Sequence, residues 1–188
     1  MKLNLPNRRL YRWSSVALLG IVLFTAGCPR VLHLNYPPST PIKGSGTIQV
    51  DPFQYAGHPT RLVKEKELES IVKNPEALYL SQDISIFFTN AIKAELAFGG
   101  YDVQPASTRI VSGTIEHFLI EYVGETDQRF QIQATFTIVR KDAPLFTTSC
   151  RAEPQRSIDW MGSGLLIERG ITDCIKEFMT KAQTAGAL

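Results

Sequence analysis

Three histidines, three cysteines and the serine of Gly162-Ser-Gly164 are the residues of this chain with the most obvious chemical potential. His33, His58 and His117 lie far apart and share no metal-ligand spacing, so no metal is expected. His117 follows Glu116 in a run of strand-forming residues, and a period of two sends those side chains to opposite faces. Each histidine reads as a solvated or hydrogen-bonded side chain. Ser163 sits in Gly162-Ser-Gly164, where small residues suit a turn into a helix better than a nucleophile. The spacings of a nucleophile elbow, a zinc-protease helix and a phosphate loop do not occur. Asp51 and Glu116 could meet across strands, but nothing sets them in a cleft. The chain is therefore expected not to be an enzyme, with no catalytic residue and no dissociable cofactor.

Cysteine chemistry is the stronger signal. Met1 to Arg12 is basic, Val16 to Phe24 is apolar, and Thr25-Ala-Gly-Cys28 follows directly. That order is the layout of a secretory signal. The apolar run, about eleven residues through Ala26, is too short to span a bilayer, which takes roughly 20. Its last four residues resemble a lipobox, the signal read by the enzymes that mature bacterial lipoproteins. Ala26, Gly27 and Cys28 fit, while Thr25 stands where Leu is usual. The resemblance implies cleavage before Cys28, a diacylglycerol on its thiol and an acyl chain on its freed amine. Two or more chains anchor stably, each buried methylene contributing about 0.8 kcal/mol. The competing reading is an ordinary signal peptide or an uncleaved anchor. Arg8-Arg9 invites a twin-arginine reading that its neighbours do not support. By the same resemblance, Pro29 where Asp would favour inner-membrane retention points to the inner leaflet of the outer membrane.

Cys150 and Cys174 then remain in an oxidising compartment. Cys150 falls late in a strand and Cys174 on the apolar face of the helix after it. Either they form a disulfide worth roughly 3 kcal/mol, or they are two buried thiols acting as small hydrophobes.

The elements that must position these residues follow from periodicity. Residues 1–27 read as the lipoprotein signal peptide, and 28–46, rich in proline, as a lipidated, extended tether. The alternative for the tether is that Val31 to Leu34 packs on the domain as an edge strand. Residues 47–188 are the periplasmic domain. Thr47 to Tyr55 alternates as a first strand. Leu62 to Val72 is charged, with Leu68, Ile71 and Val72 at helical spacing, and Asn74-Pro75 ends it. Ser81 offers an N-cap, with Asp83 in the first turn. Ile84, Phe87, Phe88, Ala91, Ile92 and Leu96 form one helical stripe, closed by Gly99-Gly100.

Ile110 to Val123 is strand-forming, its alternation blurred around Phe118 to Ile120. Arg129 to Lys141 alternates cleanly, with Phe130, Ile132, Ala134, Phe136 and Ile138 on one face. Leu145 to Ala152 adds a strand. A final helix from Gly164 turns Ile167, Ile171, Cys174, Ile175 and Phe178 inward. One-sided helices and one-sided strands predict an α+β, two-layer sandwich: a mostly antiparallel sheet with two helices on one face.

Two regions read either as partner contacts or as structure. Leu68, Ile71, Leu78 and Tyr79 belong to an arm presenting apolar groups or to a helix packed on the sheet edge. Trp160 is either an exposed anchor or a core plug.

Ala94-Glu-Leu-Ala-Phe-Gly-Gly-Tyr101 leading to Val111-Ser-Gly-Thr-Ile115 resembles the YajG-type outer-membrane lipoproteins and the auxiliary lipoproteins of ABC transport systems. The resemblance runs from Thr47 to about Lys181. It implies a non-enzymatic partner in envelope maintenance or lipid traffic and supplies no catalytic residues.

Charge removes one function class. The leader holds four of the 20 basic residues and none of the 18 acidic ones, leaving 16 against 18 afterwards. The basic balance of the full chain therefore gives no argument for nucleic acid. Two readings remain: an accessory module that meets the membrane through its anchor and binds an envelope protein, or a carrier holding a lipid or cell-wall fragment between helices and sheet.

Overall fold

A computed structural model describes residues 29–64, 77–123, 127–140, 143–157 and 162–188. The strands are β1 (Arg30–Leu32), β2 (Thr47–Val50), β3 (Gln54–Tyr55), β4 (Leu78–Leu80), β5 (Asp102–Val103), β6 (Arg109–Val123), β7 (Asp127–Arg140), β8 (Ala143–Ala152) and β9 (Gln155–Ser157). The helices are α1 (Ile84–Phe98) and α2 (Gly162–Thr184). The main sheet runs β5-β2-β6-β7-β8, and β1 and β4 form a small separate sheet. The long β6, β7 and β8 are antiparallel, whereas β2 pairs in parallel with β5 and β6. Both helices cover one face. Phe136 of β7 touches Phe88 of α1 and stacks on Phe178 of α2 at 4.2 Å. The fold is the expected α+β class.

Alternation explains the sheet's two sides. Phe130, Ile132, Ala134, Phe136 and Ile138 are buried, with polar residues between them facing outward. Phe53 closes the ring cluster edge-on to Phe88 and Phe136, at 5.4 and 5.2 Å. Such contacts add to the burial energy of the rings themselves.

Prolines divide both edges of the β6–β7 pair. The first strand was expected to be continuous to Tyr55, but it breaks between β2 and β3 at Pro52, which has no N–H for a ladder. Phe53 turns into the core there, and its N–H donates to Thr89 Oγ1 at 3.0 Å. On the other side β8 and β9 both pair with β7, separated by Glu153-Pro154. β9 had no counterpart in the sequence reading.

The blurred alternation in β6 has a cause. The register shifts between Ile115 and His117, a bulge at Glu116. Burial accordingly moves from Val111 and Ile115 to Phe118 and Ile120. The same extra residue corrects the opposite-face expectation for Glu116 and His117: both are exposed, Glu116 accepting from the outward Thr135 hydroxyl at 2.7 Å.

The N-cap of α1 is Asp83, whose carboxylate accepts from Ser85 N–H, rather than Ser81. Ser81 instead donates its own N–H to Leu32 O. Where a charged helix from Leu62 was expected, Leu62 and Val63 are extended and buried. Leu62 bonds Leu78, and Val63 bridges Ile120.

The largest departure concerns residues 29–46. Instead of standing away as a spacer, they are laid on the domain. β1 pairs with β4, which is the edge-strand alternative for Val31 to Leu34. The chain then crosses the helices: Leu34 reaches Gly164 of α2, Tyr36 lies between the helices, and Gly44 N–H bonds Gly99 O. Proline keeps this arm extended, as its composition implies, but composition says nothing about what an extended arm rests on.

Candidate functional site

The arm is fastened by a carboxylate that the helical pattern should not contain. Glu95 lies in the apolar stripe of α1, after Phe88 and Ala91-Ile92, and is 0% exposed. An unpaired carboxylate there would be very costly. The arm supplies its partners. Tyr36 hydroxyl donates to Glu95 Oε1 at 2.5 Å, Thr40 N–H to Oε2 at 2.8 Å, and Ser39 N–H reaches both oxygens at 3.1 and 3.3 Å. Tyr36 also meets Thr172 Oγ1 of α2 at 2.9 Å. Its one proton goes to Glu95, so the Thr172 hydroxyl donates. Burial holds the Tyr36 hydroxyl well above its ordinary range, reinforced by the hydrogen bond to Glu95, so the phenol stays a donor.

The two glycines after α1 admit the arm's far end. A Cβ at Gly99 would lie 2.8 Å from Ile42 O, and Gly100 has φ +97°, with its Cβ position 2.9 Å from Gly44 O. The first clash and the second φ exclude most side chains. Lys43 Nζ caps Phe98 O at 3.0 Å and sits 4.4 Å over the Phe98 ring, while Gln183 of α2 donates to Lys43 O at 2.5 Å. The arm therefore runs along α2 and joins it to the C-terminal end of α1.

The opposite side of the molecule is the outward face of the sheet. Glu121 there is bonded by Lys64, by Arg129 at 2.8 Å and by Gln131 at 2.9 Å. The bond to Lys64, then that to Arg129, holds its carboxyl below the usual carboxylate range. Nearby, His117, Gln131, Gln133, Arg151 and Glu153 line a shallow polar concavity. Arg151 Nε donates to Glu153 at 2.6 Å. This surface can form ion pairs and hydrogen bonds, and it suits recognition of another polar surface.

Cys150 and Cys174 are joined by a disulfide that ties β8 to α2, with Cα atoms 5.1 Å apart. Leu78, expected as a possible partner contact, is instead 1% exposed and sits in the core. Tyr79 is half-buried, edge-on to His58 at 6.0 Å. Cys28, Leu68, Ile71 and Trp160 lie outside the described residues. Ser163 is buried and donates to Gln128 Oε1 at 2.8 Å, which fixes the start of α2 to β7. Among the described residues no group of three or more His, Cys, Asp or Glu could hold a metal. No described helix is long and apolar enough to cross a membrane.

The sequence reading missed Glu95 and Tyr36. Glu95 carried a signal, a charge at a stripe position one turn before a Gly-Gly stop. Tyr36 carried none, since its partner is 59 residues away.

No family model matches this chain, and no curated protein matches it. Solved structures do. A Xanthomonas campestris protein of the family designated DUF330 is similar with TM-score 0.64 at 12% identity, over 85% of this chain and 97% of its own. A Neisseria meningitidis lipoprotein matches with TM-score 0.38 at 13% identity, over 75% and 96%. The rare lipoprotein B of Shewanella oneidensis matches with TM-score 0.39 at 6% identity, over 74% and 95%. The likeness to the DUF330 protein is one of fold.

Proposed function

We propose that this chain is a lipid-anchored lipoprotein of the bacterial envelope whose domain is a non-enzymatic binding or accessory component of an envelope complex. In this reading residues 1–27 are removed, Cys28 carries the diacylglycerol and N-acyl chains, and the domain faces the periplasm from the inner leaflet of the outer membrane. The observation that carries it is the run of basic, apolar and small residues ending at Cys28. Relation to the YajG-type and ABC-transport auxiliary lipoproteins, and with it a place in lipid transport, extends the same reading.

The interior favours an accessory module over a carrier. A lipid between helices and sheet would need the space where Phe53, Phe88, Phe136 and Phe178 interlock. Binding is left to the outer surface, where the polar sheet face offers hydrogen-bonding groups to a protein partner.

The test is intact mass and membrane fractionation of the wild type beside Cys28→Ala in a Gram-negative host. The expected wild-type mass corresponds to cleavage before Cys28 plus acyl chains, in the membrane fraction, with both lost in the variant. An unmodified, soluble wild type would refute the reading.

A further inference from the structure

The arm determines which side of the domain can reach the membrane. A chain of pairings places its start: Arg30 pairs with Leu78, Leu78 O accepts from Leu62 N–H, and Leu62 O accepts from Ile120 N–H. Ile120 is near the end of β6, where β6 turns toward β7. α2 begins at this same end, because Ser163 bonds Gln128 near the start of β7. The arm leaves the opposite end, where Gly44 bonds Gly99 and β2 begins.

Cys28 is thus two residues from a docked strand. Two residues span roughly 7 Å, whereas a free tether of residues 28–46 would reach several times further. The arm packs against the helices, which cover the opposite side of the sheet from its open face. Exposed apolar groups alone do not choose an end. Val31 and Leu165 are 47% and 53% exposed near the arm's start, but Phe98 and Leu145 are 47% and 45% exposed elsewhere. The path of the chain decides.

We infer that the end of the domain bearing Arg30, Val31 and the first turn of α2 rests on the lipid surface, and that the open sheet face cannot. This rests on lipidation of Cys28. The polar sheet face is left turned toward a partner.

The experiment uses full-length acylated protein in vesicles of phosphatidylethanolamine and phosphatidylglycerol, with a photoreactive phenylalanine analogue at one position at a time. Val31 and Leu165 should cross-link lipid at least about fivefold more than Thr147 on the sheet face or Thr184 at the far end, because the short tether raises local concentration. A Gly/Ser insertion of 20 residues between Pro29 and Arg30, reaching roughly 25 Å, leaves the fold untouched and should collapse that ratio toward one. Equal cross-linking at all four positions in protein whose mass shows the acyl chains would overturn the orientation and spare the lipoprotein reading. Protein without acyl chains would overturn both. A ratio that survives the insertion would overturn the arm's part in setting it.

Discussion

Glu95 and Glu121 each gather three partners, but the partners differ in kind. Glu95, 0% exposed, is held by a phenol and two backbone N–H groups of the arm. Glu121, with 15% of its side chain exposed, is held by Lys64, Arg129 and Gln131 on the open face. The buried carboxylate cannot exchange its donors for water, so its hydrogen bonds fix the arm. The outer one has water and salt as competitors, so its ion pairs contribute little to stability and leave the face adaptable. One side of the domain is fixed by buried hydrogen bonds, while the other stays open to solvent.

Removing the inner carboxylate should have the largest effect. Glu95→Ala strips the charge from three donors, two of them backbone, and should cost about 3–5 kcal/mol in urea unfolding. It should also open the arm to trypsin at Lys43. Glu95→Gln should cost less but remain clearly destabilising, because its NH2 must face a donor. If Glu95→Ala unfolds like the wild type, the contrast between the two glutamates is lost.

The disulfide comes next. It closes a loop with a sequence separation of 24, so Cys150→Ala/Cys174→Ala should lose about 3 kcal/mol. Because the bridge joins α2 to β8 rather than to the arm, proteolysis at Lys43 should stay slow in the native variant. Rapid cleavage there would show that arm and bridge are one cooperative unit.

Much of this architecture was readable in the sequence. The stripes of α1, α2 and β7 fixed their faces, since each side chain position recurs with the period of its element. The β6 bulge showed only as blurred alternation, because one inserted residue reverses parity without leaving a distinctive residue type. Pro52 and Pro154 were visible, but a strand that breaks and resumes looks like a strand beside a loop. The arm was the real gap. Its prolines predict extension equally well in water and on a helix pair, and the deciding contact joins residues 36–40 to Glu95 across the chain.

Smaller changes refine the comparison. Tyr36→Phe removes one hydrogen bond to a buried charge and should cost about 1.5–3 kcal/mol by thermal melting, short of the Glu95→Ala loss. Glu121→Gln should cost less than about 1 kcal/mol at neutral pH, and less again in high salt. Its pH dependence has a definite sign. The folded carboxyl titrates below its usual range, so its contribution is present above that range and fades as pH falls through the lowered value. Urea midpoints of wild type and Glu121→Gln should therefore converge in acid; a gap that widens there would contradict the ion pairing.

The arm's docking is tested most directly by amide hydrogen exchange at Ser39 and Thr40 in the mature protein. A local opening cost of about 3 kcal/mol slows exchange at least roughly a hundredfold, so both amides should be protected in the wild type and released in Glu95→Gln. Exchange at free-peptide rates in the wild type would mean that residues 29–46 are a loose tether after all, and the orientation argued from them would fall with it.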